Sequence, residues 1–323
     1  MEKKIKWGII GAGRIAEKFA SDLKSTTYGE LFAVSSTSLA RAQDFALRHD
    51  AKHAFGNYEE LFSVEVDVVY VATPHPFHLQ HTLLCLNNGT PVLCEKPFGM
   101  EESEVNQMIT TAREKKVFLM EAMWTRFLPS TLKTLEIIQS GVLGKIITLH
   151  ADFGFKAIKD FEGRAYNQKL GGGALLDIGI YPIYLSLLIL GYPSAIKASS
   201  IFAQTGVDET TSMLFQYDNE STALLNCTFG CDTNCEAIIY GELGKITIHT
   251  KFHESKKVTL HLKDQEPVVF DFPRDTFGYN YEADEVHACL QAGKLESEIF
   301  PLSASQKLIH LLDKTREAAK IFY

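Results

Sequence analysis

Three stretches of the 323-residue chain hold residue types that could do chemistry. Residues 171–181 read GGGALLDIGIY, three glycines running into an apolar segment with one acid, Asp177, and a phenol four residues on, Tyr181. Residues four apart on a helix lie one turn above each other, so a carboxylate and a phenol would share a face. A glycine loop opening a helix usually cradles phosphate, but a cradle needs neither group. Residues 94–97, Cys-Glu-Lys-Pro, set Lys96 between an acid and a proline directly after a strand-like run. Such a lysine is either an exposed side chain balanced by Glu95 or a buried ammonium with a task. Residues 8–16, GIIGAGRIA, complete the set with a G-x-G-x-x-A pattern at Gly11, Gly13 and Ala16.

The elements that must position these residues follow from the apolar patterning. IKWGII (5–10), LFAVSS (31–36), VDVVYVAT (66–73), PVLCE (91–95) and VFLME (117–121) are near-continuous apolar runs separated by helical patterns. One of those helices runs from Arg14 to Leu23, and another follows Ser38 as N-cap. Repeated βα units with unalternating strands imply a doubly wound parallel sheet. Beyond Trp124 the pattern changes. A helix over 128–139 leads to KIITLHADFGF, the glycine segment, and then successive strand-like runs with short turns, YGELGK among them. That succession implies an open, mostly antiparallel sheet, closed by helices near 279–292 and 303–319. The expected fold class is α/β: a Rossmann domain over 1–122 and an α+β domain over 123–323, the latter for substrate binding and oligomerisation.

In a strand–turn–helix context, G-x-G-x-x-A is a dinucleotide fingerprint. Gly11 would permit the tight turn, Gly13 the approach of backbone to a pyrophosphate, and Ala16 the helix–strand contact, with Arg14 and Ile15 entering the helix. The second strand ends without a carboxylate, in Ser35-Ser36-Thr37-Ser38 with Arg41 one turn later. Hydroxyls at Ser36 and Thr37 can donate to a 2′-phosphate and Arg41 can pair with it, which favours NADP(H), with NAD(H) as the other possibility. The third strand exits into Thr73-Pro74-His75-Pro76-Phe77-His78 and the fourth into Glu95-Lys96. Both exits lie at carboxyl ends of parallel strands, where open α/β sheets bind ligands.

The net charge of −8, from 32 basic against 40 acidic residues, offers no basic excess for nucleic acid. The N-terminus turns strand-like too early for a signal peptide. The apolar run Ile180–Leu190 is shorter than a bilayer span of ~20 residues, so a cytoplasmic protein is expected, with no membrane partner. Cys227, Cys231 and Cys235 form C-x3-C-x3-C, which matches no common zinc spacing; no metal is expected.

The motifs in order, G-x-G-x-x-A, A-T-P-x-x-x-H, E-K-P and G-G-G-A-L-x-D-x-G-x-Y, resemble the glucose–fructose oxidoreductase/inositol dehydrogenase (Gfo/Idh/MocA) family over essentially the whole chain. EAMWTRFLP (121–129), RAYNQKLGGG (164–173) and YEADEVHACLQAGKLES (281–297) add to the likeness. The branch it most resembles holds dihydrodiol and bacterial sugar dehydrogenases. The resemblance implies hydride transfer between nicotinamide and a sugar, cyclic polyol or trans-dihydrodiol, with the second-domain helix against the nicotinamide edge. Lys96, Asp177 and Tyr181 then match the family's catalytic lysine, acid and proton-transferring residue. Tyrosine ordinarily titrates near ~10, so a nearby ammonium would have to stabilise its phenolate; whether Tyr181 or Lys96 is the formal base stays open. The glycines would let the helix start close to a flat ring. His78, Trp124 and Arg126 match residues near the cofactor, with packing roles as the alternative for His78 and Trp124. Arg164, Tyr166 and Asn167 would line the substrate side, whereas Tyr279 and Tyr281 would pack a helix start. The Lys96–Pro97 bond is expected to be cis. A homodimer or homotetramer is also implied. The competing reading, a non-catalytic dinucleotide-binding sensor of the same fold, would not require all three of Lys96, Asp177 and Tyr181.

Overall fold

The computed structural model describes residues 4–322. Two compact units emerge: residues through Phe127 with Arg274–Gln306, and Leu128–Pro273 with the chain from Lys307 onward.

In the first unit, β1 (Ile5–Ile10), α1 (Arg14–Leu23), β2 (Gly29–Ser35), α2 (Leu39–His49), β3 (His53–Phe55), β4 (Val68–Val71), α3 (His78–Asn87), β5 (Val92–Glu95), α4 (Glu102–Lys115) and β6 (Leu119–Ala122) follow in order. All six strands run parallel, arranged β3-β2-β1-β4-β5-β6. This is the doubly wound order whose direction reverses between β1 and β4, opening a crevice at their carboxyl ends. Strands β4, β5 and β6 are buried along their whole length, as covering on both faces requires. The three-residue edge strand β3 is an element that the apolar patterning does not announce, because each of its residues is only half-buried.

In the second unit, α5 (Pro129–Gln139), β7 (Ile146–Gly154), α6 (Ile180–Leu190), β8 (Ala195–Phe202), β9 (Asp208–Gln216), β10 (Thr222–Thr228), β11 (Ala237–Gly241), β12 (Gly244–Ile248), β13 (Lys257–Leu262) and β14 (Val268–Asp271) form a helix-backed sheet. Its order is β14-β13-β12-β11-β7-β10-β9-β8, antiparallel throughout except where β7 meets β10. Leu149, Ala223, Leu225, Phe215 and Ile239 are buried on the inner face, while their strand neighbours alternate outward. Helix α6 packs on β7 and β10, and α5 on β12 and β13. By length and composition residues 168–190 could cross a bilayer, yet most of that stretch lies buried in the unit, including every residue from Ile180 to Ser186.

The expected boundary at 122/123 falls instead after Phe127, and residues 274–306, expected in the second domain, return to the first. The reason lies in contacts between residues far apart in sequence. Asp22, at the end of α1, accepts hydrogen bonds from the backbone N–H groups of Phe277, Gly278 and Tyr279 at 3.0, 2.8 and 2.8 Å. It thereby caps α7 (Tyr279–Gln291), whose entry residue Gly278 takes a φ of 113°. The Trp7 indole on β1 donates to Nε2 of His287 at 2.9 Å. Chain then passes into α8 (Leu302–Ala319), whose first residues still belong to the first unit.

Candidate functional site

The turn after β1 demands glycine. Gly11 has a φ of +100°, and a Cβ there would stand 2.9 Å from the Ala72 carbonyl oxygen. Gly13 opens α1 without a side-chain cap, and nothing lies within 4 Å of where its Cβ would project. Ala16 is fully buried beneath, with Arg14 exposed and Ile15 half-buried. Uncapped helix amides beside open space are what an anion needs. This turn borders a cleft of about 470 Å³, whose far wall is Thr73 and Pro74 after β4. Such a volume is in the range of small-molecule sites, and the open space at Gly13 fits a dinucleotide pyrophosphate.

Ser36, Thr37 and Arg41 line the same cleft. The Arg41 guanidinium donates to Thr37 Oγ1 at 2.6 Å, and Ser38 Oγ accepts from Arg41 N at 3.5 Å as the expected N-cap of α2. No carboxylate stands at this strand end. Tyr58, Phe77, Gln80 and His81 complete the cleft; sequence reasoning reached Phe77 only as part of the strand exit and missed the other three. The Tyr58 ring meets His81 edge-on at 4.5 Å, and Phe77 lies parallel to it at 6.0 Å. Burial holds the His81 imidazole down at about 4 despite the opposing pull of Glu59, so it is neutral at physiological pH. Its Nδ1 lies 2.9 Å from Thr73 Oγ1. Three aromatic side chains of this kind suit a flat base. The four-residue spacing of Phe77, which precedes α3, and His81 within it is the signal that could have singled out both.

His78 and His75 are buried, with ring centres 5.7 Å apart. Both His78 nitrogens lie 2.8 Å from backbone carbonyl oxygens, Nδ1 from Pro97 and Nε2 from Thr73. His78 therefore ties the β4 exit to the β5 exit rather than lining the cleft.

At the β5 exit Glu95 is buried; its Oε1 accepts from the Tyr70 hydroxyl and its Oε2 from Lys96 N at 3.1 Å. Lys96 is half-buried and its bond to Pro97 is cis. Burial, with Glu95 and Asp22 close by, raises the Glu282 carboxyl far above the usual range; neither of its oxygens has a protein hydrogen-bond partner among the described residues. Trp124 is buried and stacks on Tyr279 at 4.5 Å, a packing contact inside the first unit. Arg126 is half-buried, and its Nη1 is buried with no partner among the described residues. An orphaned guanidinium donor of this sort costs free energy unless a ligand supplies the acceptor.

In the second unit the glycines of 171–173 serve the loop before them. Gly171 and Gly173 take φ of 70° and 118°. A Cβ on Gly172 would meet the carbonyl oxygens of Arg164, Ala165 and Asn167, each at 2.9 Å. Within this unit the tight backbone fold alone requires glycine at these positions. The helix they open is also not regular: Leu175–Gly179 form a π-helical turn before α6 begins, a feature frequent at functional sites. Asp208, fully buried at the start of β9, accepts from Leu175 N at 2.7 Å and from Thr211 Oγ1 at 3.0 Å. Nothing in the sequence pointed to it.

Asp177 sits in the π turn and is ion-paired with Arg164 at 2.5 Å. Tyr181 is buried one turn later, its ring 4.9 Å from His253 and 5.7 Å from Phe153; those two stack on each other at 4.1 Å. His253 was also missed by sequence reasoning. Of the residues expected to line substrate, only Arg164 reaches Asp177. Tyr166 is fully buried and donates to Glu209 Oε1 at 2.9 Å, its phenol pushed up to about 12 by burial and then by Glu209. Asn167 caps a short turn by accepting from Lys169 N. Tyr281 is half-buried in the first turn of α7. Cys227 and Cys235 are buried and Cys231 is exposed.

Two folds of this kind in series, a dinucleotide cleft followed by a helix-backed mixed sheet, define a nicotinamide-dependent oxidoreductase class. The chain belongs to the GFO/IDH/MocA oxidoreductase family: residues 5–123 match its NAD-binding Rossmann fold and residues 131–247 its C-terminal domain. It is 37% identical over 330 residues to trans-1,2-dihydrobenzene-1,2-diol dehydrogenase of Danio rerio, covering 99% of this chain and 98% of that protein. The Homo sapiens enzyme of that name is 34% identical over 329 residues, with 99% and 98% covered. Among solved structures, an aldose–aldose oxidoreductase from Caulobacter crescentus superposes with a TM-score of 0.90 at 21% identity, covering 98% of both chains. A 3-ketoreductase from Actinomadura kijaniata in complex with NADP gives 0.89 at 24% over 98% of both chains. These two establish the shared fold.

Proposed function

We propose that the chain is an NADP(H)-dependent dehydrogenase acting on a secondary or anomeric alcohol of a sugar, cyclic polyol or trans-dihydrodiol. The observation that carries this reading is full-length likeness to dihydrodiol dehydrogenases together with the presence of Lys96, Asp177 and Tyr181. Nicotinamide, when bound, supplies the hydride acceptor or donor. Gly11, Gly13, Thr73 and Pro74 hold the dinucleotide, and Arg126 offers its unpaired N–H to it. Lys96 donates to the substrate oxygen and favours its alkoxide-like state. Tyr181 exchanges the hydroxyl proton, and Asp177, oriented by Arg164, holds a neighbouring hydroxyl. The aromatic surroundings of Tyr181 favour a substrate with a flat apolar face.

Preference for NADP rests on the carboxylate-free end of β2 and on Arg41, already fixed by Thr37. Self-association rests on the outer face of the eight-stranded sheet, where Lys197, Leu214, Leu224, His150 and Ile238 form one cross-strand row. Leu224, at its centre, is 47% exposed, and a second copy of the chain would cover it.

The test is nicotinamide absorbance with NADP+ and with NAD+ across aldoses, inositols and trans-diols, for wild type, Lys96→Met and Tyr181→Phe. Turnover of one class, falling about 1000-fold or more in either variant, is the expected outcome. Turnover surviving in Tyr181→Phe would remove the proton role from tyrosine, and a flat panel from a folded protein would sink the dehydrogenase reading.

A further inference from the structure

His78 is fully buried at the start of α3, and both of its ring nitrogens face main-chain carbonyls. Nδ1 stands 2.8 Å from the Pro97 oxygen and Nε2 2.8 Å from the Thr73 oxygen. A carbonyl oxygen only accepts, so each contact asks the ring for an N–H. Neutral imidazole has one N–H and one lone pair. In either tautomer one contact would press a nitrogen lone pair against oxygen lone pairs at hydrogen-bond distance. Only the doubly protonated ring satisfies both oxygens. Burying that cation is costly unless its protons are used, and here both are used, in charge-assisted bonds.

The two carbonyls belong to different working parts. Thr73 lines the cleft, and its Oγ1 lies 2.9 Å from His81 Nδ1 in the same wall. Pro97 directly follows Lys96. The elements packed on α3 are β4, β5, α4 and the turn His75–Phe77. The titratable groups they bring to the two strand exits are His75, its ring centre 5.7 Å from that of His78; Tyr70, which donates to Glu95; Cys94, Glu95 and Lys96; and Glu104, which accepts from Met100 N at 2.7 Å. We propose that His78 is a buried imidazolium that acts as a positioning residue for Lys96. One N–H holds the cleft wall at Thr73 and the other holds the backbone just past the lysine, so the wall and the lysine keep a fixed separation. The effect on turnover rests on the dehydrogenase reading above; the charge on the ring does not.

Ring nitrogen chemical shifts of isotopically labelled wild type at about pH 8 read the charge directly. An ordinary imidazole, titrating near ~6.5, is about 97% neutral there and shows one pyrrole-type and one pyridine-type nitrogen. His78, assigned through the bonds from ring to backbone, should show two pyrrole-type nitrogens; one pyridine-type nitrogen overturns the proposal whatever any variant does. His78→Gln has one donor nitrogen, which cannot span both carbonyls. It should lower kcat between about 10- and 100-fold per NADPH-binding site, counted by fluorescence titration, with KM for the alcohol within a factor of ~2. A histidine that only stabilised the fold would cost binding sites but not turnover per site, so an unchanged kcat per site overturns the positioning role. His78→Asn is read the same way should His78→Gln not fold. The alcohol panel separates the two claims: a wild-type imidazolium without turnover of any alcohol leaves the charge in place and removes the dehydrogenase, whereas turnover with a neutral ring does the reverse.

Discussion

The turn at Gly11–Gly13 and the segment from Gly171 to Tyr181 both lead from glycines into a helix, but they are held in different ways. Around Gly11 the backbone does the holding: a positive φ, a carbonyl at 2.9 Å from any added Cβ, and helix amides with no side-chain cap. Side chains there, Arg14 and Arg41 among them, remain exposed. Around Asp177 the glycines fold the loop back, and the helix start is fastened by buried Asp208 and by the Arg164 ion pair. On the proposed reading, one region would present backbone donors to a ligand's phosphates, which needs conformational freedom. The other would aim a carboxylate and a phenol, which needs side chains locked by other side chains.

That difference ranks the expected effects of mutation. Asp208→Ala leaves Leu175 N–H and the Thr211 hydroxyl buried without their acceptor, a loss of about 3 kcal/mol from two bonds to a charged group. Chemical denaturation should show it, and Asp208→Asn should recover part because one acceptor oxygen remains. If Asp208→Ala matched wild type, the π turn would not depend on this carboxylate and the contrast between the regions would collapse. Gly11→Ala comes next. Strain at a positive φ together with the carbonyl contact should cost about 2 kcal/mol, or roughly 30-fold in NADPH affinity. Fluorescence titration measures it, and unchanged affinity would show that the turn tolerates a side chain.

The same contrast explains which parts could be read from the chain. Gly11, Gly13, Ser38 and the apolar runs of β1, β4, β5 and β6 declare themselves because their requirements are local: a φ, a cap, burial on both sides. Lys96, Asp177 and Tyr181 were visible only as a motif, since their arrangement is set elsewhere. Asp208 lies 33 residues after the N–H it accepts, and Asp22 lies 257 before the last of the three it caps. No windowed pattern reports such pairs, which is why the sequence does not show that the helix expected near 279–292 packs in the first unit. The π turn was illegible for another reason: LLDIGIYPIYL, apolar on every side with Asp177 its one charge, gives no periodicity from which an extra residue per turn could be noticed. Tyr58 escaped because it follows the half-buried strand β3.

Tyr166 supplies the smallest test and the sharpest one for deciding what a motif residue does. It stands five residues before the glycines, in a stretch expected to line the substrate side, yet it is fully buried and donates to Glu209, which Lys159 also engages at 3.0 Å. Tyr166→Phe removes one hydroxyl and keeps the ring packed near Phe161 and Phe229. The loss should be about 1 kcal/mol of stability, the ordinary worth of one such bond, with KM and kcat unchanged within a factor of ~2. A stability loss with unaltered kinetics would mark Tyr166 as part of the fastening around Asp177. A rise in KM with stability intact would return it to the substrate side and show that the hydroxyl leaves Glu209 when substrate binds.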